Sequence, residues 1–103
     1  MKIAMYSVYD SKTNVFAQPN FLINRGAALR AWADACNDPQ SNISKHPGDY
    51  TIFEIGTWDD ETGTIEMHPA KISLGTAVEF VRPVNQSPLP FPLSTPNQQE
   101  VQQ

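Results

Sequence analysis

Tyr50–His68 reads YTIFEIGTWDDETGTIEMH. From Tyr50 to Trp58 β-branched and aromatic residues dominate, with Ile52, Glu54, Gly56 and Trp58 on one side of a strand and Thr51, Phe53, Ile55 and Thr57 on the other. Asp59-Asp60-Glu61-Thr62-Gly63 then has the form of a hairpin loop, with Gly63 free to take the left-handed conformation such loops need. Thr64–His68 is the return strand. Two strands joined so tightly must be antiparallel, which excludes a purely helical or a doubly wound parallel fold for this region.

Working outward, the segment before the hairpin holds one helix. Asn24 can cap it by accepting a backbone N–H, and Arg25–Cys36 carries five alanines and no proline. Leu29, Trp32 and Cys36 fall on one face with Ala28 and Ala35 beside them, while Arg30, Asp34 and Asn37 point away. Such a stripe packs on a sheet, and Asn37-Asp38-Pro39 ends the helix. Upstream, Lys2–Tyr9 reads as a first strand, the polar DSKTN segment turns the chain, and VFAQPNFLI offers a second strand. Pro19 cannot donate to a ladder, so that strand belongs at an edge or is bulged. Downstream, Pro69 and Gly75 bound a short loop before a last strand, Thr76–Val81. The expected architecture is α+β, a ββαβββ order in which an antiparallel sheet of five strands carries one helix on a face.

The chain has 103 residues, enough for one domain with a modest core. That domain is expected to span residues 1–81. From Arg82 onward proline and glutamine accumulate, and the few apolar side chains there return less than the entropy of ordering them. Residues 82–103 are therefore expected to form a flexible Pro/Gln-rich tail. The N-terminal stretch is too short and polar for a signal peptide, and no run of about 18 apolar residues marks a membrane span. Cys36 is the one cysteine, so no internal disulfide can form and a thiolate zinc cage is excluded.

Catalytic and metal chemistry find little footing. Asp59, Asp60 and Glu61 are consecutive at a turn, where neighbours diverge, so a solvated tip is favoured over a metal site. His46 and His68 each precede a proline at a loop boundary and lack ligand spacing. Glu54 reads as a polar group at a sheet edge or outer face, and Cys36, on the helix's apolar stripe, as a buried, inert thiol. The five glycines are scattered and form no phosphate loop. The expectation is a non-enzyme without a cofactor.

Charge is more informative. The net value of −4 hides an asymmetry: Met1–Lys45 carries five bases against three acids, +2, and the remainder two bases against eight acids, −6. A mildly basic half can meet phosphate while the acidic half faces away or toward a basic protein. Single strands are held by aromatic platforms beside a basic track. Tyr6, Tyr9, Phe16, Tyr50, Phe53 and Trp58 lie on expected strands, and most of them are ordinary core residues. Tyr6 and Tyr9, three apart, face opposite sides, so one of them is open to stack on a base. The candidate DNA-binding residues are Lys2, Lys12, Arg25, Arg30 and Lys45 with Tyr6 or Tyr9. The rival is a protein-interaction surface at Asp59, Asp60 and Glu61. A continuous basic groove on a folded dimer favours DNA; scattered bases favour the adaptor.

Tyr9-Asp10-Ser11-Lys12, Gly26-Ala27-Ala28-Leu29-Arg30 with Asp34 and Asn37, Lys45–Gly56, Asp59-Asp60 with Thr62-Gly63, and Leu74-Gly75-Thr76-Ala77 together resemble the small non-structural protein of gokushoviruses. These are tiny single-stranded DNA phages of the Microviridae. The KHPxDYTxFEIG block with the following DDxTG is the most specific part, although Gly48 stands where the family has an acidic residue. Members are not virion components and are likened to the C protein of related microviruses, which acts when double-stranded synthesis gives way to making and packaging single strands. The resemblance implies a protein of the host bacterial cytoplasm that binds DNA or the replication machinery: single-stranded phage genome, the replication initiator or the procapsid. It supplies no catalytic residue. A homodimer, joined through sheet edges or the helix face, would double the few bases; no membrane is expected as a partner.

Overall fold

A computed structural model describes residues 1–83. Strand β1 (Lys2–Asp10) is followed by the short β2 (Val15–Phe16) and β3 (Asn20–Leu22), helix α1 (Arg25–Asn37) and the single-turn α2 (Asn42–Lys45). The long hairpin of β4 (Tyr50–Asp59) and β5 (Thr64–Thr76) completes an antiparallel sheet ordered β2-β1-β4-β5, with β3 pairing β1 on the same side as β2. The five strands and the single layer of helix are as expected.

Three of the expected strands differ, so that three strands precede the helix and two follow it, in place of the expected ββαβββ order. The second expected strand is split, because Pro19 has no N–H to donate and Ala17 N bonds Val8 O before the chain swings away. The fourth expected strand does not stop at Pro69: β5 runs on to Thr76, since a proline is tolerated on an edge strand and among the described residues β5 pairs only with β4. The expected strand Thr76–Val81 is instead a 3-10 turn, Ala77–Glu79. Thr76 and Glu79 form a reciprocal capping box, and the T-x-x-E spacing that builds it is visible in the sequence. Gly63 takes φ 70 at the hairpin tip, as the loop chemistry requires.

Helix α1 starts where Asn24 Oδ1 accepts from Ala27 N at 2.8 Å. Its Ala28, Trp32 and Cys36 are buried against Tyr6 and Ile52 of the sheet and Ala77 of the 3-10 turn. Asn37 does not point away as expected. Its Nδ2 donates to Phe80 O at 3.0 Å and its Oδ1 accepts from Arg82 N at 2.7 Å, so the helix end clasps the chain just after the 3-10 turn. Arg82 thus belongs with the domain rather than with the tail, whose residues 84–103 lie outside those described.

Register decides which side chains share a face. Tyr6 lies opposite Glu54 and Met5 opposite Gly56, so Ile55 is an extra residue in β4. Before this bulge the side chains of Ile52 and Glu54 face the helix layer, as the alternation predicts. After it the phase flips, and Trp58 joins Phe53 on the opposite face rather than Ile52. Simple alternation fails here because one inserted residue inverts every later position.

Candidate nucleic-acid interface on the open sheet face

One face of the sheet carries α1; among the described residues no element covers the other. Pairing places Ile3, Met5, Tyr9, Phe16, Phe21, Phe53, Trp58, Ile65 and Met67 on that face. Met5 is buried, but Phe16 and Phe21 are 40% and 46% exposed and Ile65 and Met67 each 54%. Exposed apolar side chains gathered on one face are what interaction surfaces present.

The face has two centres. At one end Tyr9 and Phe16 have ring centroids 4.6 Å apart, and Phe16 and Phe53 5.9 Å apart. Tyr9 is held by a hydrogen bond from its hydroxyl to Asn14 Oδ1, 2.8 Å long. Lys71 Nζ lies 5.3 Å from the Phe16 ring centroid, a cation beside three aromatic rings. At the other end Phe21 and Trp58 meet edge to face at 6.4 Å and, with Ile3 and Ile65, line an open apolar hollow.

The residues expected to bind DNA do not converge here. Tyr6 is only 2% exposed and sits in the core, so it cannot stack on a base; its hydroxyl pKa is raised chiefly by burial. Tyr9 is on the open face, and the opposite orientation of the two tyrosines holds. Lys12 lies in the turn between β1 and β2, the hairpin that carries Tyr9 and Phe16. Lys2 approaches Glu66 at 4.0 Å, Arg30 is exposed on α1, and Lys45 ends α2. Arg25 is already engaged, donating through Nε and Nη2 to Glu54 Oε1 at 3.2 and 2.8 Å. Among the described residues these bases are therefore scattered and form no continuous basic groove. Sequence reasoning missed Phe21 and Lys71. Phe21 was reachable once β3 was registered on Met5, whereas Lys71 on β5 and Phe16 on β2 meet across the width of the sheet, a contact no local pattern announces.

Glu54 is neither at an edge nor on the outer face. Strand β4 is interior, and the carboxylate, 12% exposed, faces the helix layer between Arg25 and His68, whose Nε2 is 2.9 Å from Oε2. Burial alone would raise its pKa, but the hydrogen bonds from Arg25 and His68, with the charges of both, outweigh burial and hold it below the ordinary value of 4.5. A depressed folded pKa contributes stability above the unfolded value and loses it as pH falls through the folded one. Urea unfolding at pH 6 and pH 3 is therefore expected to show a drop in stability on acidification that Glu54→Gln reduces, the remainder coming from other depressed carboxylates such as Asp59. An equal acid dependence in the variant would contradict the assignment.

The acidic tip is partly self-satisfied. The Met1 ammonium lies 2.7 Å from Asp60 Oδ1 and 3.2 Å from Glu61 Oε2, and Asp59 Oδ1 accepts from Glu61 N. A basic partner would have to displace the first two contacts. Cys36 is fully buried, and burial pushes its thiol up to about 11, so it is a poor nucleophile. Among the described residues no group of three or more His, Cys, Asp or Glu is placed to hold a metal ion, and no helix is long and apolar enough to cross a membrane. In comparisons with known proteins, a family model described as Phage ORF5 protein matches residues 3–80. No curated protein and no solved structure matches the chain.

Proposed function

Because this chain belongs to the Phage ORF5 protein family, we propose that it is a non-enzymatic accessory protein of a gokushovirus-type phage. In this reading it binds single-stranded DNA in the host cytoplasm while genome replication turns to single-strand synthesis and packaging. The observation that carries the reading is the open aromatic cluster of Tyr9, Phe16 and Phe53 with Lys71 at its edge. Every base has a π-face, so such a platform takes a single strand without reading its sequence. The scattered bases taken alone favour a protein adaptor, so this reading asks stacking rather than phosphate contact to supply most of the affinity in a chain of net charge −4.

The mechanism assigns each residue a part. Phe53, on the interior strand, is the fixed floor of the platform. Phe16 and Tyr9 extend it along the hairpin, with Asn14 holding the phenol in place. Lys71 and Lys12 meet the phosphates that flank a stacked base. Arg25, Arg30 and Lys45 belong to the helix layer and act, at most, as long-range attraction.

Fluorescence anisotropy of a labelled oligothymidylate at low salt tests this. Binding is expected with a shallow salt slope, since each phosphate contact on a single strand contributes only about −0.7 to it. Phe53→Ala and Phe16→Ala should each weaken binding by about five- to a hundredfold, the value of one stacked base, whereas Lys45→Ala should leave it nearly unchanged. Absence of binding at low salt would overturn the reading. A loss in Lys45→Ala as large as in Phe53→Ala would move the site to the helix layer.

A further inference from the structure

Among the described residues strand β5 is the edge of the sheet: over Thr64–Met67 it pairs one-to-one with Gly56–Asp59 of β4, and its outer side meets no described strand. Edge strands are commonly guarded by prolines, bulges and lysines. The second half of β5 has all three: Pro69, the irregular stretch between Met67 and Ile72, and Lys71. The first half has only Glu66, and its Ile65 and Met67 are each 54% exposed.

We propose that the Thr64–Met67 edge pairs antiparallel with the same edge of a second copy, joining two sheets into one about a twofold axis at Ile65. A second copy is favoured over an unrelated strand because the segment is self-complementary in this register. Under a twofold perpendicular to the sheet, each residue keeps to its own face only if the numbers of opposed residues sum to an even value. Centring on Glu66 would set two carboxylates opposite each other, which is unfavourable. Centring on Thr64 would oppose each Ile65 to Gly63. Centring on Ile65 sets isoleucine against isoleucine on the open face and Thr64 against Glu66 on the other. It also joins the hollows of Ile3, Phe21, Trp58 and Ile65 from the two copies into one apolar strip. The opposite edge of the sheet cannot supply such a ladder, being built from strands of two and three residues with Pro19 between them. The proposal does not depend on the nucleic-acid reading.

Light scattering with size-exclusion chromatography on the full chain, at tens to hundreds of micromolar, is the test. The wild-type chain is expected to be a dimer and Ile65→Lys a monomer with an unchanged circular dichroism spectrum. Mild oxidation should convert Ile65→Cys into a disulfide-linked dimer, and Val78→Cys, exposed but away from this edge, should cross-link far less. Cys36 is fully buried and does not compete. A monomeric wild type, a dimer that survives Ile65→Lys, or equal cross-linking at both positions would overturn the proposal. Should Ile65→Lys fail to fold, the cysteine pair decides alone.

Discussion

Trp32→Ala is expected to cost about 3–5 kcal/mol of stability, a large part of what a domain of this size possesses. Trp32 is 3% exposed and is the largest side chain that α1 sets into the core, where it packs with Tyr6, Ile52, Cys36 and Ala77. Among the described residues no second layer lies behind the sheet to collapse into the space, so the cavity would stay open beneath the helix. Nε1 of Trp32 is buried without a hydrogen-bond partner among the described residues, which costs the folded state. Trp32→Phe removes that unmet donor along with part of the ring, and its loss should accordingly be far smaller than that of the alanine variant. Urea midpoints followed by far-ultraviolet circular dichroism measure both. Two variants of equal stability would show that Trp32 does not organise the core.

Gly56→Ala is the second large effect, on the order of 3 kcal/mol as for severe overpacking. A Cβ at this position would lie 2.5 Å from Glu66 O and 3.1 Å from Met67 Cα, both backbone atoms, and 3.2 Å from Met5 Cε. Flexible side chains can yield, but the backbone of β5 can yield only by parting from β4. The variant should therefore lower the unfolding midpoint and expose β5 first, read as faster amide hydrogen exchange over Thr64–Met67 than over β1. Unchanged exchange and midpoint would mean that the close approach does not exist. Gly48→Ala, with nothing within 4 Å of its Cβ, is the matched control and should be close to neutral.

Local signals made the hairpin, the Asn24 cap and the apolar stripe of α1 legible in the sequence, because each depends on residues within one or two turns of chain. The far half of β4 was not legible in the same way. Its facing depends on the extra residue Ile55, and that residue is defined only by pairing with Met5 and Tyr6, some fifty positions away. The same holds for the site. The opposite orientation of Tyr6 and Tyr9 follows from period two, yet which of them lies inside depends on where α1 docks. Glu54 looked peripheral because its neighbours alternate with it; Arg25 and His68 reach it from elements that meet only in the folded chain. The Thr76–Glu79 capping box is the one feature that local reading could have found and did not, because β-branched residues nearby suggested a strand.

The bulge at Ile55 also ties length to identity in β4. Phe53 and Trp58 share a face although they are an odd number of positions apart, so the strand works as two half-rulers offset by one mark. Deleting Ile55 would leave Trp58 beside Phe53 in plain alternation, whereas losing the bulge with every residue kept would carry Trp58 under the helix and swing Thr57 out onto the aromatic face. The bulge is thus as much a part of the molecule's specification as the residues themselves. Changes in length can accumulate freely only where the sheet does not count them, above all in the long connection between α1 and β4.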